Sequence, residues 1–398
     1  MGPETTPSDL PLAGIRVLEF THAVMGPSAG LILADLGAEV IHIEPPHGDS
    51  TRRLKGMGSG YFGFFNRNKK SLAVNIKSDE GRDIVHRLLA TADVVVENFG
   101  PGTMDRLGYG YADCKAVRED LIYCALKGFL SGPYAQRTAM DEVVQMMGGL
   151  AYMTGPPGKP LRAGSSVIDI GGGMFGVLGI LSALYQRALT GRGRYLKSAL
   201  FETTAFFMGQ HMACASVSDQ PVPPMPARVS AWSIYRIFET QEGTPLFVGI
   251  ISEKQWAKFC RSFERIDWLE DPRLATNNVR IDAAAWFIPQ VEAMFASLPF
   301  ETAVARCARA GISYAPISRP EDLFTDPQLN KPEGGLLDTV LPNGVRTRLP
   351  RLPIEMSDAD MGIRANPPQV GEHTDAILAE VGLDADTIAA LRERAFIG

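Results

Sequence analysis

Cysteine is scarce in this 398-residue chain: Cys114, Cys124, Cys214, Cys260 and Cys307 are odd in number, scattered, and never spaced as CxxC. That spacing excludes a disulfide framework and a thiolate zinc site, and a reducing, cytoplasmic setting is the expectation. The six histidines, His22, His42, His47, His86, His211 and His373, show neither HxxxH nor HExxH spacing, so no metal centre is expected. No GxSxG elbow is present, which removes the usual signal for a serine hydrolase. Basic residues are in the minority, with a formal net charge of −6. A nucleic-acid partner would need a basic surface, so none is expected, and any anionic ligand must be held by local cations. The opening MGPETTPSDLPLAG lacks a basic start and an apolar run, against a signal peptide, and Pro3 after Gly2 argues against myristoylation. Long apolar runs are also missing: residues 174–184 are interrupted by Gly176 and Gly179 and are too short to span a bilayer, so no membrane association is expected.

What remains is a balanced globular composition, 45% apolar and 21% charged, on a chain long enough for two or three domains. Residues 15–20 read as a buried strand, 28–36 as a helix closed by Gly37, and 39–43 as a second strand stopped by Pro45 and Pro46. A helix at 79–91 and strands at 93–97 and 121–126 continue the pattern. Strands alternating with helices predict an α/β domain around a mostly parallel sheet. A Met-rich helix is read over 140–153, and a second apolar helix follows Asp169. The proline-rich stretch SDQPVPPMPARVSAW reads as a linker. The domains are therefore expected at 1–215 (the first part of a large domain), 216–315 (linker and a smaller α+β domain) and 316–398 (a return to the large domain), ending in a helix near 385–394.

Three segments could carry chemistry. The first βα turn, THAVMGPSAG, has only Gly26 and Gly30, short of the GxGxxG that lets a backbone approach a pyrophosphate. The cluster Arg67, Lys69, Lys70 and Lys77 is either a solvated turn or a phosphate site, to which Arg106 and Arg137 would add cations. Asp169, in VIDIGGG, directly precedes an apolar helical run. Its carboxylate can cap that helix, and the same position suits a carboxylate nucleophile, because free helix N–H groups stabilise anions. Asp141, ahead of VVQMM, reads as a capping or orienting carboxylate.

At these residues the chain resembles the class III CoA-transferases, the CaiB/BaiF family typified by formyl-CoA transferase. The resemblance is carried by VLEFTHAVMGPSAGLILADLGAEVIHIEPPHGD, NRNKKSLAVNIKSDEGRDIVHRLLATADVVVENFGPGTMDRLG, GPYAQRTAMDEVVQMMGGLAYMTG and VIDIGGGMFGVLGILSAL, with looser similarity in the second half. It implies a Rossmann-like large domain, a smaller domain on long linkers, and an interlocked homodimer. It places the active-site aspartate at Asp169 and CoA contacts at Val74, Asn75, Ile76, Lys77, Asn98, Phe99 and Arg106, with Arg137 as a further contact. No permanently bound cofactor is implied; a CoA thioester is the substrate, and the partners are acyl-CoA and carboxylic acids. On this mechanism Asp169 attacks the thioester carbonyl, and amides near Gly171 and Gly172 meet the developing oxyanion.

Two departures narrow the expectation. Formyl-CoA transferase has a glutamine in the first turn and a glycine run in a lid, whereas this chain has Val24 and PPMPARVSAW, against a formyl or oxalate substrate. The family's α-methylacyl-CoA racemases carry a histidine before the aspartate corresponding to Asp141. Met140 stands there and cannot move a proton, so a racemase is disfavoured against a transferase with a dicarboxylate acceptor. Arg52, Arg53 and Arg228 are the cations that could hold its second carboxylate. A CoA-binding protein without catalysis is the remaining alternative.

Overall fold

Six short runs pair side by side into one parallel sheet: β1 (Arg16–Phe20), β2 (Glu39–Glu44), β3 (Lys69–Ala73), β4 (Val94–Glu97), β5 (Ile122–Lys127) and β6 (Arg194–Ala199). Their order across the sheet is β3-β2-β1-β4-β5-β6, that of the doubly wound nucleotide-binding folds. In this computed structural model residues 10–218, 220–228, 230–331 and 334–398 are described; the opening nine residues, read above against a signal peptide, lie outside them. β1, β2, β4 and β5 are buried nearly throughout on both faces, as a sheet covered twice requires, their charged residues Glu19, His42, Glu44 and Glu97 included.

The helices between the strands are α1 (Met25–Asp35), α2 (Tyr61–Phe65), α3 (Asp79–Leu89), α4 (Thr103–Leu107), α5 (Tyr111–Val117), α6 (Asp141–Met147), α7 (Leu150–Thr154) and α8 (Val167–Thr190). After β6 follow α9 (Leu200–Phe207) and α10 (Gly209–Val217). α3 starts where Ser78 accepts the Gly81 amide at 3.0 Å, with Asp79 and Glu80 in the favourable first turn. Its stripe of Ile84, Val85, Leu88 and Leu89 is buried against the sheet. The single helix read over 140–153 is two helices, because the chain turns at Gly148 and at Gly149, whose φ of +86° suits glycine.

Sequence reading missed two strands of this sheet, β6 and β3, and β3 begins inside the cation cluster. Arg67 bonds Asp35 at 2.7 Å, Lys69 bonds Glu19 at 2.9 Å, and Lys70 pairs with Glu39. Arg67 and Lys69 are buried, so of that cluster Lys77 is the cation left for a ligand, and the phosphate-site reading of the others is corrected. Gly26 and Gly30 have a structural use as well. A Cβ at Gly26 would lie 2.3 Å from Thr21, and one at Gly30 would lie 1.9 Å from the Glu19 carboxylate. They let α1 sit close on the sheet over a buried ion pair.

α8 has 24 residues, roughly 36 Å at the helical rise, and is by length and composition apolar enough to cross a membrane. The shorter run read from sequence understated it. Here it packs on α1, β5 and β6, and Arg187 near its end pairs with Asp93 at 3.0 Å.

The chain divides into two compact units, Met1–Pro226 with Gln328–Gly398, and Ala227–Pro327. The large unit draws on both ends of the chain: the Asn75 amide bonds the Phe396 carbonyl at 2.8 Å, and the Gly398 amide bonds Ala73 at 3.0 Å. The small unit has a three-stranded antiparallel sheet, Tyr235–Glu239, Pro245–Gly249 and Ser313–Pro316. Its helices bury Trp256, Phe259, Phe263, Trp268, Phe287 and Phe295 together. The α/β class with a smaller α+β unit is thus as expected.

Candidate active site

Parallel sheets of this order leave a crevice at the carboxyl ends of the strands where the order reverses, here between β1 and β4. A cavity of about 900 Å³ occupies that end. His22, two residues past β1, and Phe99, two past β4, flank the switch point, their rings 5.8 Å apart. Pro45, Pro46 and His47 follow β2, and Val74, Asn75, Ile76 and Lys77 follow β3. Asn98 fastens the two turns: its side-chain oxygen accepts the His22 amide at 3.0 Å and its amide donates to the His22 carbonyl at 2.9 Å.

Asp169 does not line that cavity; Ile170, the residue after it, packs against an apolar cluster of Val24, from the β1–α1 turn, with Leu31 and Phe65. Asp169 sits in the first turn of α8 and does not cap it. The Asp141 carboxylate, arriving from α6, accepts the Ile168 amide at 2.9 Å and the Asp169 amide at 3.1 Å. Gln145, fully buried, donates to Asp141 at 2.5 Å. With its helix capped by another residue, the Asp169 carboxylate accepts no hydrogen bond among the described residues. Burial, then the Asp141 charge, push its pKa up to about 7, against the opposing pull of Arg162. A partly desolvated carboxylate with no hydrogen bonds is more nucleophilic than a solvated one, and it can ionise at neutral pH. Among the described residues no cluster of three His, Cys, Asp or Glu could hold a metal.

The family model described as CoA-transferase family III matches residues 12–374. The chain belongs to CoA-transferase family III. The mouse succinyl-CoA:glutarate CoA-transferase is 32% identical, over 93% of this chain and 86% of that one. The formyl-CoA:oxalate CoA-transferase of Streptomyces coelicolor is 31% identical, over 97% and 99%. A CaiB/BaiF family protein from Brucella suis has a similar structure, with a TM-score of 0.82 and 33% identity over 94% of this chain and 99% of that one. The protein is therefore a CoA-transferase, and its small-molecule partners are acyl-CoA thioesters and carboxylic acids.

In this transferase Val74, Asn75, Ile76, Lys77 and Phe99 come together in the large cavity, with Asn98 holding its rim. Arg106 does not join them. On α4, Thr103 and Leu107 face the cavity, whereas Arg106 lines a neighbouring pocket of about 440 Å³ with Lys127 and Lys197. Arg137 lies beside that pocket, 4.9 Å from the Tyr134 ring. Met140 is the residue before α6 and is 64% exposed. The expected oxyanion role of Gly171 and Gly172 needs correction. An added Cβ would meet Phe207 at 2.9 Å and Met25 at 2.6 Å, so these glycines serve the close packing of α8, and their amides lie within its hydrogen-bonded ladder. Arg52 also drops out as a substrate anchor: it forks onto Glu44, donates to the Pro368 carbonyl, and lies 3.6 Å over the Phe62 ring.

Sequence reading missed His22, Gln145, Arg162 and Arg392. Arg392 reaches the cavity from Ala385–Glu393, more than 300 residues from Val74, and no local pattern connects them.

Proposed function

We propose that Asp169 is the covalent carrier in this transferase, moving CoA from succinyl-CoA to a dicarboxylic acid. The carrying observation is its half-buried carboxylate, left without a hydrogen-bond partner among the described residues because Asp141 caps its helix. An Asp169 oxygen attacks the thioester carbonyl; the C–S bond breaks, leaving an aspartyl–acyl anhydride and CoA thiolate. The thiolate attacks the aspartyl carbonyl, releases the donor acid as a carboxylate, and leaves an aspartyl–CoA thioester. The acceptor carboxylate then runs the two steps in reverse. Two facile exchanges replace one slow one, and anhydride and thioester must be kept from water.

On this reading CoA occupies the cavity at the strand ends, with Lys77 near its phosphates. Lys77→Ala is expected to raise KM for acyl-CoA roughly five- to tenfold with kcat nearly unchanged, the size of one exposed charge-assisted contact. Steady-state kinetics at two salt concentrations check this; an effect confined to kcat would oppose it. The dicarboxylate acceptor draws support from the mouse relative, whose name specifies glutarate, and from Arg53, which is exposed and uses one nitrogen on the His47 carbonyl.

A homodimer belongs to the same reading. Met174, Leu178, Tyr185 and Leu189 on α8, with Phe206 and Met212 beyond it, expose large apolar side chains, more than an isolated surface accounts for. A cytoplasmic location accords with five unbridged thiols.

The test is intact-protein and peptide mass spectrometry after mixing with succinyl-CoA, with hydroxylamine added to capture the activated carboxyl. Modification at Asp169, with turnover on glutarate or another dicarboxylate, is expected. Modification elsewhere would sink the carrier assignment, and transfer confined to monocarboxylates would sink the acceptor assignment.

A further inference from the structure

Loop 155–166 brings one cation to the neighbourhood of Asp169. The Arg162 guanidinium donates to the Asp141 carboxylate at 3.3 Å and, from the same nitrogen, to the Ser165 carbonyl at 3.2 Å; its Nε donates to the Ala163 carbonyl at 3.1 Å. From the other side Gln145 Oε1 accepts the Ala163 amide at 2.9 Å while its amide holds Asp141. Asp141 is thus gripped by two donors through one oxygen and offers the other to the start of α8. Ser166, at the position that normally caps, makes no side-chain bond. Without Asp141 the Ile168 and Asp169 amides lose their acceptor, and the first turn of α8, which carries the Asp169 carboxylate, loses the contact that holds it in place.

We propose that Arg162 is a positioning residue of the transfer reaction: it fastens Asp141 to the loop entering α8, so that Asp141 holds the first turn of that helix and with it the Asp169 carboxylate in place. This rests on the reading of Asp169 as the covalent carrier. The charged groups facing Asp169 are Asp141 from α6 and Arg162 from the loop, with Glu142 behind Arg162 at 3.9 Å. Asp141 opposes ionisation and Arg162 favours it, so the arginine has two separable effects, one of charge and one of geometry. Its planar fork gives the geometry and any cation gives the charge.

The two effects come apart in the pH dependence of single-turnover adduct formation with succinyl-CoA, trapped by hydroxylamine and read by mass spectrometry. In the parent protein the rate rises with pH through an apparent pKa near that of Asp169. Arg162→Gln is expected to move this limb upward by roughly one unit and slow adduct formation about tenfold at pH 7. Arg162→Lys is expected to return the limb to the parental position while adduct formation stays slow, because charge is restored without the fork. A loop staple without influence on Asp169 would lower stability and leave the limb in place. An unmoved limb in Arg162→Gln therefore overturns the proposal, and so does parental rate in Arg162→Lys, which also decides the matter if the glutamine variant does not fold. Absence of any adduct in the parent protein overturns the carrier reading along with this one; a normal adduct with an unmoved limb overturns this one alone.

Discussion

Asp169→Asn is expected to lower CoA transfer by at least about a thousandfold, because an amide cannot form the anhydride through which the acyl group passes. The same substitution is expected to stabilise the protein. Burial first, and then Asp141, raise the Asp169 pKa from 3.8 in the unfolded chain to about 7 in the fold. Between those values the folded state binds more protons than the unfolded one, so stability falls as pH rises from about 4 to 7, and the ionised carboxylate is a standing cost above that. Its upper bound is about 4 kcal/mol, reduced in practice by the Arg162 counter-charge and by partial solvent access. Asparagine removes that cost. Urea unfolding at pH 8 should therefore show Asp169→Asn more stable than the parent, with the difference vanishing near pH 4. An activity loss of less than tenfold would remove Asp169 from the chemistry. Equal stability at pH 8 would mean that the carboxylate is not strained by its site.

The second large effect concerns the layer beneath that site. Lys69→Met is expected to destabilise the large unit by about 3–5 kcal/mol, the range for breaking a buried ion pair by removing one partner. Lys69 Nζ donates to both Glu19 oxygens, to Asn66 Oδ1 and to the Pro27 carbonyl, all within 3.0 Å, and neither Lys69 nor Glu19 reaches solvent. Burial alone would raise the Glu19 carboxyl; the Lys69 ammonium, helped by His42 at 2.9 Å, holds it below the ordinary value. The pair's stabilisation is thus present above the unfolded carboxylate value and is lost as pH falls through the folded one. Without Lys69, burial prevails and Glu19 takes up a proton more readily. The stability gap between parent and variant should accordingly be widest at pH 8 and narrow toward pH 4 to 5. A gap constant with pH would indicate lost packing alone. Since Pro27 is in the first turn of α1, the same change should loosen the β1–α1 turn.

Much of this arrangement was legible from residue order. The alternation of apolar strands with amphipathic helices predicted the α/β core, because period and burial are local properties of a chain. The resemblance in VIDIGGG and ENFGPG pointed to Asp169, Asn98 and Phe99, and it led correctly to the family. Local reading failed where charge stood for exposure: β3 begins with Lys69 and Lys70, and a strand opening on two cations carries no apolar signal. The expectation also failed at Gly171 and Gly172, whose amides were to meet an oxyanion: both lie inside α8, packed against Phe207 and Met25.

The local question at Asp169, helix cap or free carboxylate, has no answer in the order of residues around it, since both readings use the same N-terminal position. By itself the sequence determined the fold class, the family and the short set of candidate residues, all of which rest on nearby patterns. Tertiary structure decided which of them are available. Asp141, 28 residues away, takes the cap; Glu19, Asp35 and Glu39 occupy Lys69, Arg67 and Lys70; and Arg392 arrives from the end of the chain. A hydrogen bond or ion pair is set by distance in space, and the partner that wins a buried charge is the one the fold brings within about 3 Å, whatever its place in the chain.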